Sequence, residues 1–94
     1  MITHIVLFQL QEPEVHAPII CKLLQGLKDK IPQICTLQTG VDFMRSERSY
    51  DMALIVTFRN REDLEIYDKH SDHAEVRKYI HAHRLASKTV DFED

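Results

Sequence analysis

The sequence predicts an α+β fold with the order β-α-β-β-α-β, a four-stranded antiparallel sheet and helices on one face. Three observations carry this expectation. Residues 2–10 and 50–58 are rich in β-forming side chains, and the first stretch alternates in side-chain direction with period two. The stretches beyond Glu12 and Asn60 combine helix-start signals with apolar residues at helical spacing. The order in which these segments follow one another, with the second helical segment broken, is the ferredoxin-like arrangement.

The first strand, 2–10, sends His4, Val6, Phe8 and Leu10 to one side and Thr3, Ile5 and Leu7 to the other. Glu12-Pro13-Glu14 ends it. Ile19, Leu23, Leu27 and Ile31 then recur at spacing four, with Ile20 and Leu24 widening the stripe. Proline is tolerated in the first turn of a helix, so Pro18 sets the expected start between Val15 and Pro18, and Pro32 sets the end. Residues 34–43 read as the second strand, with Leu37, Val41 and Phe43 apolar and Gly40 marking a bulge or bend. The polar loop Arg45-Ser46-Glu47-Arg48-Ser49 leads to the third strand, 50–58.

Asn60 is an N-cap, with Asp63 completing a weak capping box, and the helix it opens carries Leu64 and Tyr67. Asp72 and Glu75 form a second capping box, so a short helix is expected to begin near His73, with Val76, Ile80 and His83 on one face. Residues 88–92 close the fold as its fourth strand.

Residues 1–94 therefore make one small domain with one modest core. A chain of this length buries only roughly 60–65% of its unfolded surface, so it gains much from pairing. The net charge is −3 with both signs mixed along the chain, which gives no field for nucleic acid or anionic lipid. No apolar run approaches the ~18 residues of a membrane helix, and the first residues resemble no signal peptide, so no membrane contact and a cytoplasmic location are expected. Cys21 and Cys35 lack metal spacing and are expected to be two buried, reduced thiols.

Helices can cover only one face of such a sheet, and the other face should then be polar. Here Ile5 and Leu7 lie opposite Val6 and Phe8, and Ala53 and Ile55 lie opposite Leu54 and Val56. Both faces are apolar. The uncovered one, through Ile5, Leu7, Ala53 and Ile55, is expected to meet a second copy of the same sheet in a homodimer, closing a barrel with helices outside.

Chemistry concentrates in Tyr67-Asp68-Lys69-His70-Ser71-Asp72-His73, which sets a phenol and two imidazoles at a helix junction. His73 titrates near neutrality and suits proton transfer, and Tyr67 suits donation to a developing enolate oxygen. The bland alternatives are a histidine bonded to backbone across the junction and a core-edge aromatic reaching water. His4, on an apolar face, is more often a satisfied core residue than a ligand contact. His70 and His73 lack the further ligands a tetrahedral metal site needs, so neither metal nor cofactor is expected. His81 and His83 are expected at the surface. Asp51 and Asp91, opposite their apolar neighbours, are expected to meet Arg45 or Arg48 across a dimer or to lie at a solvated edge. With two glycines in the chain, phosphate-cradling loops are excluded.

Five segments in order resemble the stress-responsive α/β barrel family: Ile2-Thr3-His4-Ile5-Val6-Leu7-Phe8, Ile31-Pro32 before a strand containing Gly40, Arg48-Ser49-Tyr50-Asp51-Met52-Ala53-Leu54 leading to Phe58, Tyr67 with His70 and His73, and Val90-Asp91-Phe92. The resemblance covers essentially the whole chain. It implies a homodimer of ferredoxin-like subunits. The family includes plant stress-induced proteins and polyketide cyclases, and in the cyclases residues matching Tyr67 and His73 are the implied catalytic pair for an aldol-type ring closure. A histidine matching His4 lines the same pocket. Where the cyclases carry a further pocket histidine and tyrosine, this chain has Met52 and Leu24, and Ser71 stands where many members have proline.

Together these readings predict a stress-response-type dimer with an apolar pocket for a small hydrophobic or aromatic ligand. Its expected lining is His4, Val6, Phe8, Leu24, Met52, Leu54, Tyr67, His70 and His73. The alternatives are a cyclase-like lyase or isomerase using Tyr67 and His73, and a purely structural, stress-protective dimer.

Overall fold

In a computed structural model describing residues 1–94, strand β1 (Ile2–Leu10) lies inside the sheet, and helix α1 (Pro13–Lys30) follows it. Strands β2 (Thr36–Val41) and β3 (Met52–Phe58) form a hairpin. Helices α2 (Arg61–Lys69) and α3 (Ser71–His83) then lead into strand β4 (Arg84–Glu93). The sheet is antiparallel in the order β2-β3-β1-β4, which is the ferredoxin-like topology.

Period-two alternation divides the sheet into two faces. Ile2, Val6, Phe8 and Leu10 of β1, and Met52, Leu54, Val56 and Phe58 of β3, are buried beneath the helices. Facing them are Ala17, Ile20, Leu24 and Leu27 of α1, Tyr67 of α2, and Val76 and Ile80 of α3. On the uncovered face Ile5 stands in register with Ile55 and Val90, and Leu7 with Ala53. Leu7, Val90 and Phe92 are exposed there, at 40%, 52% and 45%. No helix is long and apolar enough to cross a membrane.

The structure corrects several expectations. Helix α1 starts at Pro13, where a missing N–H costs nothing, and Pro18 sits inside it. Its buried stripe is Ala17-Ile20-Leu24-Leu27, and Ile19 and Leu23 are exposed, because spacings of three and four must alternate to stay on one face. Pairing runs unbroken through Gly40, and the sheet's irregularity lies instead between Gln9 and Leu10. Strands β2 and β3 are shorter than expected, and β4 is longer, beginning directly after α3. Asn60 caps α2 as expected, its Oδ1 accepting from the Asp63 N–H at 2.8 Å. The cap of α3 is not Asp72 but His70, whose Nδ1 accepts from the Asp72 N–H at 3.1 Å. The two cysteines are free and half-buried rather than buried.

Asp51 is a buried charge, 5% exposed. Its Oδ2 accepts from the Leu10 N–H at 2.6 Å and its Oδ1 from Arg45 Nη2 at 2.8 Å, so it meets Arg45 within one chain. Asp51→Ala strands the Leu10 N–H beside the sheet irregularity. It should lower unfolding free energy by about 1–3 kcal/mol in urea melts. Asp51→Asn, which keeps an acceptor, should lose less.

Candidate functional site

The site forms where β1, β4 and α3 converge. Alternation puts His4 on the helix-covered face between buried Ile2 and Val6, and antiparallel register puts Asp91 of β4 directly opposite it. The His4 Nδ1 and the Asp91 Oδ1 form a hydrogen bond. A carboxylate has no proton to give, so Nδ1 donates, and neutral His4 keeps Nε2 as a free acceptor.

Tyr67 rises from the last turn of α2 into the core. Its ring centroid lies 4.4 Å from that of His73, 5.1 Å from Phe58 and 6.1 Å from His4. Tyr67 is 1% exposed, yet its hydroxyl has no hydrogen-bond partner. Burial, and then the Asp68 charge, hold its pKa well above the ordinary value of 10.0, so it stays a neutral phenol able to donate.

His73 enters from the first turn of α3. One turn on, Arg77 Nη2 lies 2.9 Å from His73 Nδ1 and donates to the Asp68 carbonyl oxygen at 2.6 Å. A guanidinium only donates, so Nδ1 accepts and the proton of neutral His73 sits on Nε2. The Asp68 carbonyl also approaches Nδ1, at 3.2 Å, but it already takes the shorter bond from Arg77. Burial lowers the His73 pKa below 6.5, opposed by the Asp68 carbonyl and reinforced by the Arg77 charge.

His4, Asp68, His73 and Arg77 border a cavity of about 200 Å³. Of the residues expected to bind ligand, His4, Val6, Phe8, Leu24, Leu54 and His73 line it. Tyr67 lies against His4 and His73, its ring part of the buried core. Met52 and His70 stand outside it. Met52 borders a separate depression of about 320 Å³ with Leu7, Val41, Phe43 and Tyr50. His70, committed to capping α3, borders a shallow surface beside Glu62 and Glu65. The larger depression holds no imidazole, whereas His4, His73 and His81 line the smaller cavity.

Sequence reading missed Asp91 and Arg77 as partners of the two histidines. Both left a signal. Asp91 lies opposite its apolar neighbours on the closing strand, which gives it the same face as His4 once those strands pair. Arg77 follows His73 by four residues, one helical turn.

The lowered His73 pKa has a consequence for stability. The unfolded chain binds a proton at His73 near 6.5 and the folded chain only at lower pH. The contribution of His73 is therefore present above about pH 6.5 and is lost as pH falls through the folded value. Urea melts between pH 7.5 and 5 should show stability falling on acidification, with a smaller fall in His73→Gln.

A family model described as the stress responsive A/B barrel domain matches residues 2–94. No curated protein matches the chain. Among solved structures, a dimeric protein of unknown function with a ferredoxin-like fold from Bacteroides fragilis is 25% identical. It has a TM-score of 0.90, with 99% of this chain and 95% of that chain covered. A protein of Arabidopsis thaliana, 18% identical, has a TM-score of 0.85 with 100% and 95% covered. A hydroxynitrile lyase from Passiflora edulis, 14% identical, has a TM-score of 0.84 with 97% and 90% covered. The likeness to the last two is one of fold.

Proposed function

The chain belongs to the stress responsive A/B barrel domain family, and from that membership and the geometry of the cavity we propose that it is a homodimer in which each subunit binds one small apolar or aromatic molecule beside Tyr67. The observation that carries this reading is the buried, unpartnered Tyr67 hydroxyl. Such a group costs about 1–3 kcal/mol when left unpaired. A ligand oxygen accepting from it removes that cost, and the apolar floor of Val6, Phe8, Leu24 and Leu54 suits a ring or short chain.

The uncovered sheet face supports the homodimer. Ile5, Leu7, Ala53, Ile55, Val90 and Phe92 form an apolar patch that a second copy related by a two-fold axis would cover with the same residues. The depression around Phe43, itself 90% exposed, extends that patch toward β2. The similar Bacteroides fragilis protein is itself dimeric.

A second reading, proton transfer, is favoured by the hydrogen bonds of the two imidazoles. His4 offers a bare Nε2 backed by Asp91, while His73 offers an Nε2–H and Tyr67 an O–H. A ligand with a carbonyl could lose a proton from the adjacent carbon to His4 Nε2. The electron pair of that C–H bond would pass to the carbonyl oxygen as an enolate, held by the donors of Tyr67 and His73. Lyase, isomerase and cyclase reactions share this step, and the similarly folded Passiflora edulis protein is a lyase.

Two experiments test these readings. Tyr67→Phe deletes only the hydroxyl, so the protein should remain as stable or gain slightly, while ligand affinity falls by about 1–3 kcal/mol. Equal thermal shifts in wild type and variant across aromatics, fatty acids and polyketide-like compounds would refute the role of Tyr67. Separately, Ile5→Asp or Ile55→Lys should give a folded monomer by light scattering. A folded dimer would refute sheet-to-sheet pairing.

A further inference from the structure

We infer that the ligand of this cavity is an anion, an apolar body of one ring or short chain ending in a carboxylate, with that carboxylate held between Arg77 and Arg84. The inference deepens the pocket reading above and rests on it.

Helix α3 presents His73, Arg77, Ile80 and His81 to the cavity, and Arg84, the first residue of β4, lines it beside them. His73, Arg77 and Ile80 follow spacings of four and three, so they share a helix face. Strand β4 also contributes the hydroxyl-bearing Ser87 and Thr89. Arg84 Nη1 donates to Ser87 Oγ of the same strand at 3.1 Å.

The charge balance points the same way. Arg77 and Arg84 are two permanent cations, and Asp68 is the one carboxylate in the lining, with its Oδ1 3.8 Å from Arg77. Asp91, which borders a neighbouring depression, is committed to His4. The cavity is thus cationic in a chain whose net charge is −3. Arg77 spends Nη2 on His73 and the Asp68 carbonyl, and Arg84 spends Nη1 on Ser87. The remaining guanidinium N–H groups match a carboxylate in geometry and charge.

Size limits the body of the ligand. A cavity of about 200 Å³ is smaller than the roughly 300–1,000 Å³ of sites for drug-sized molecules. An apolar cavity of roughly 150 Å³ accepts a benzene ring. A single ring with a short acid side chain therefore fits with its apolar end on Phe8 and Leu54 and its head at Arg77 and Arg84.

Calorimetric titration of the full chain with 3-phenylpropionate, hexanoate and their primary amides tests this. The acids should bind roughly ten- to hundredfold tighter than the amides, and salt should weaken the acids only. Arg84→Gln should erase most of the difference between acid and amide while leaving the amide unchanged. Equal binding of acid and amide, or an acid preference untouched in both Arg84→Gln and Arg77→Gln, would overturn the anion inference and leave the pocket standing. Binding of none of the four compounds would overturn both.

Discussion

Tyr67 joins the core to the site. Its ring packs on Phe58 of the sheet and meets His73 and His4, which come from different elements. Stacking and area burial hold the ring in place, and aromatic pairs at these separations add about 0.5–1.5 kcal/mol each beyond area. The position of the hydroxyl follows from that packing. Fold stability therefore carries a polar group into the core without a partner, and the imidazoles gathered around the same ring become its chemical neighbours. Anything that shifts the α2–α3 junction moves the phenol, His73 and Arg77 as a unit.

Strand pairing imposes the second constraint. With side-chain direction alternating at every residue, a slip of one position would exchange the two faces of β1. The register that seats Val6 and Phe8 in the core also opposes His4 to Asp91 and leaves Ile5 and Leu7 outward. One pairing thus creates the core, the His4–Asp91 contact and the apolar outer face together. The proposed ligand cavity lies on the helix side, and the apolar patch proposed for pairing lies on the outer side.

How much of this was legible depended on whether the signal was local. The alternation of β1, the Asn60 cap and the broken second helix can each be read within a few residues. So could the aromatic and imidazole groups at the helix junction, because they are adjacent in the chain. The start of α1 was misplaced because proline inside a helix is disfavoured rather than forbidden, and the packing of Ala17, Ile20 and Leu24 outweighs one lost hydrogen bond. Asp72 looked like a cap because a carboxylate is the commoner choice, yet the neighbouring His70 imidazole serves. Asp91 and Arg84 were hidden for a different reason. Their roles depend on the closing strand beginning directly after α3 and lying beside β1, a pairing across some eighty residues that no local pattern encodes. Met52 and His70 share face or sequence neighbourhood with the site, but Met52, paired with Phe8, borders the depression on the β2 side, and His70 borders the surface beside Glu62 and Glu65.

The fold fixes two imidazoles in opposite tautomers around one neutral phenol. Long-range proton–nitrogen correlation spectra of the histidine rings at pH 7.5 read those tautomers directly. Neutral His4 should carry its proton on Nδ1, toward Asp91, and His73 should carry its proton on Nε2, with Nδ1 accepting from Arg77. Both rings protonated on the same nitrogen, or His73 protonated on Nδ1, would contradict the account.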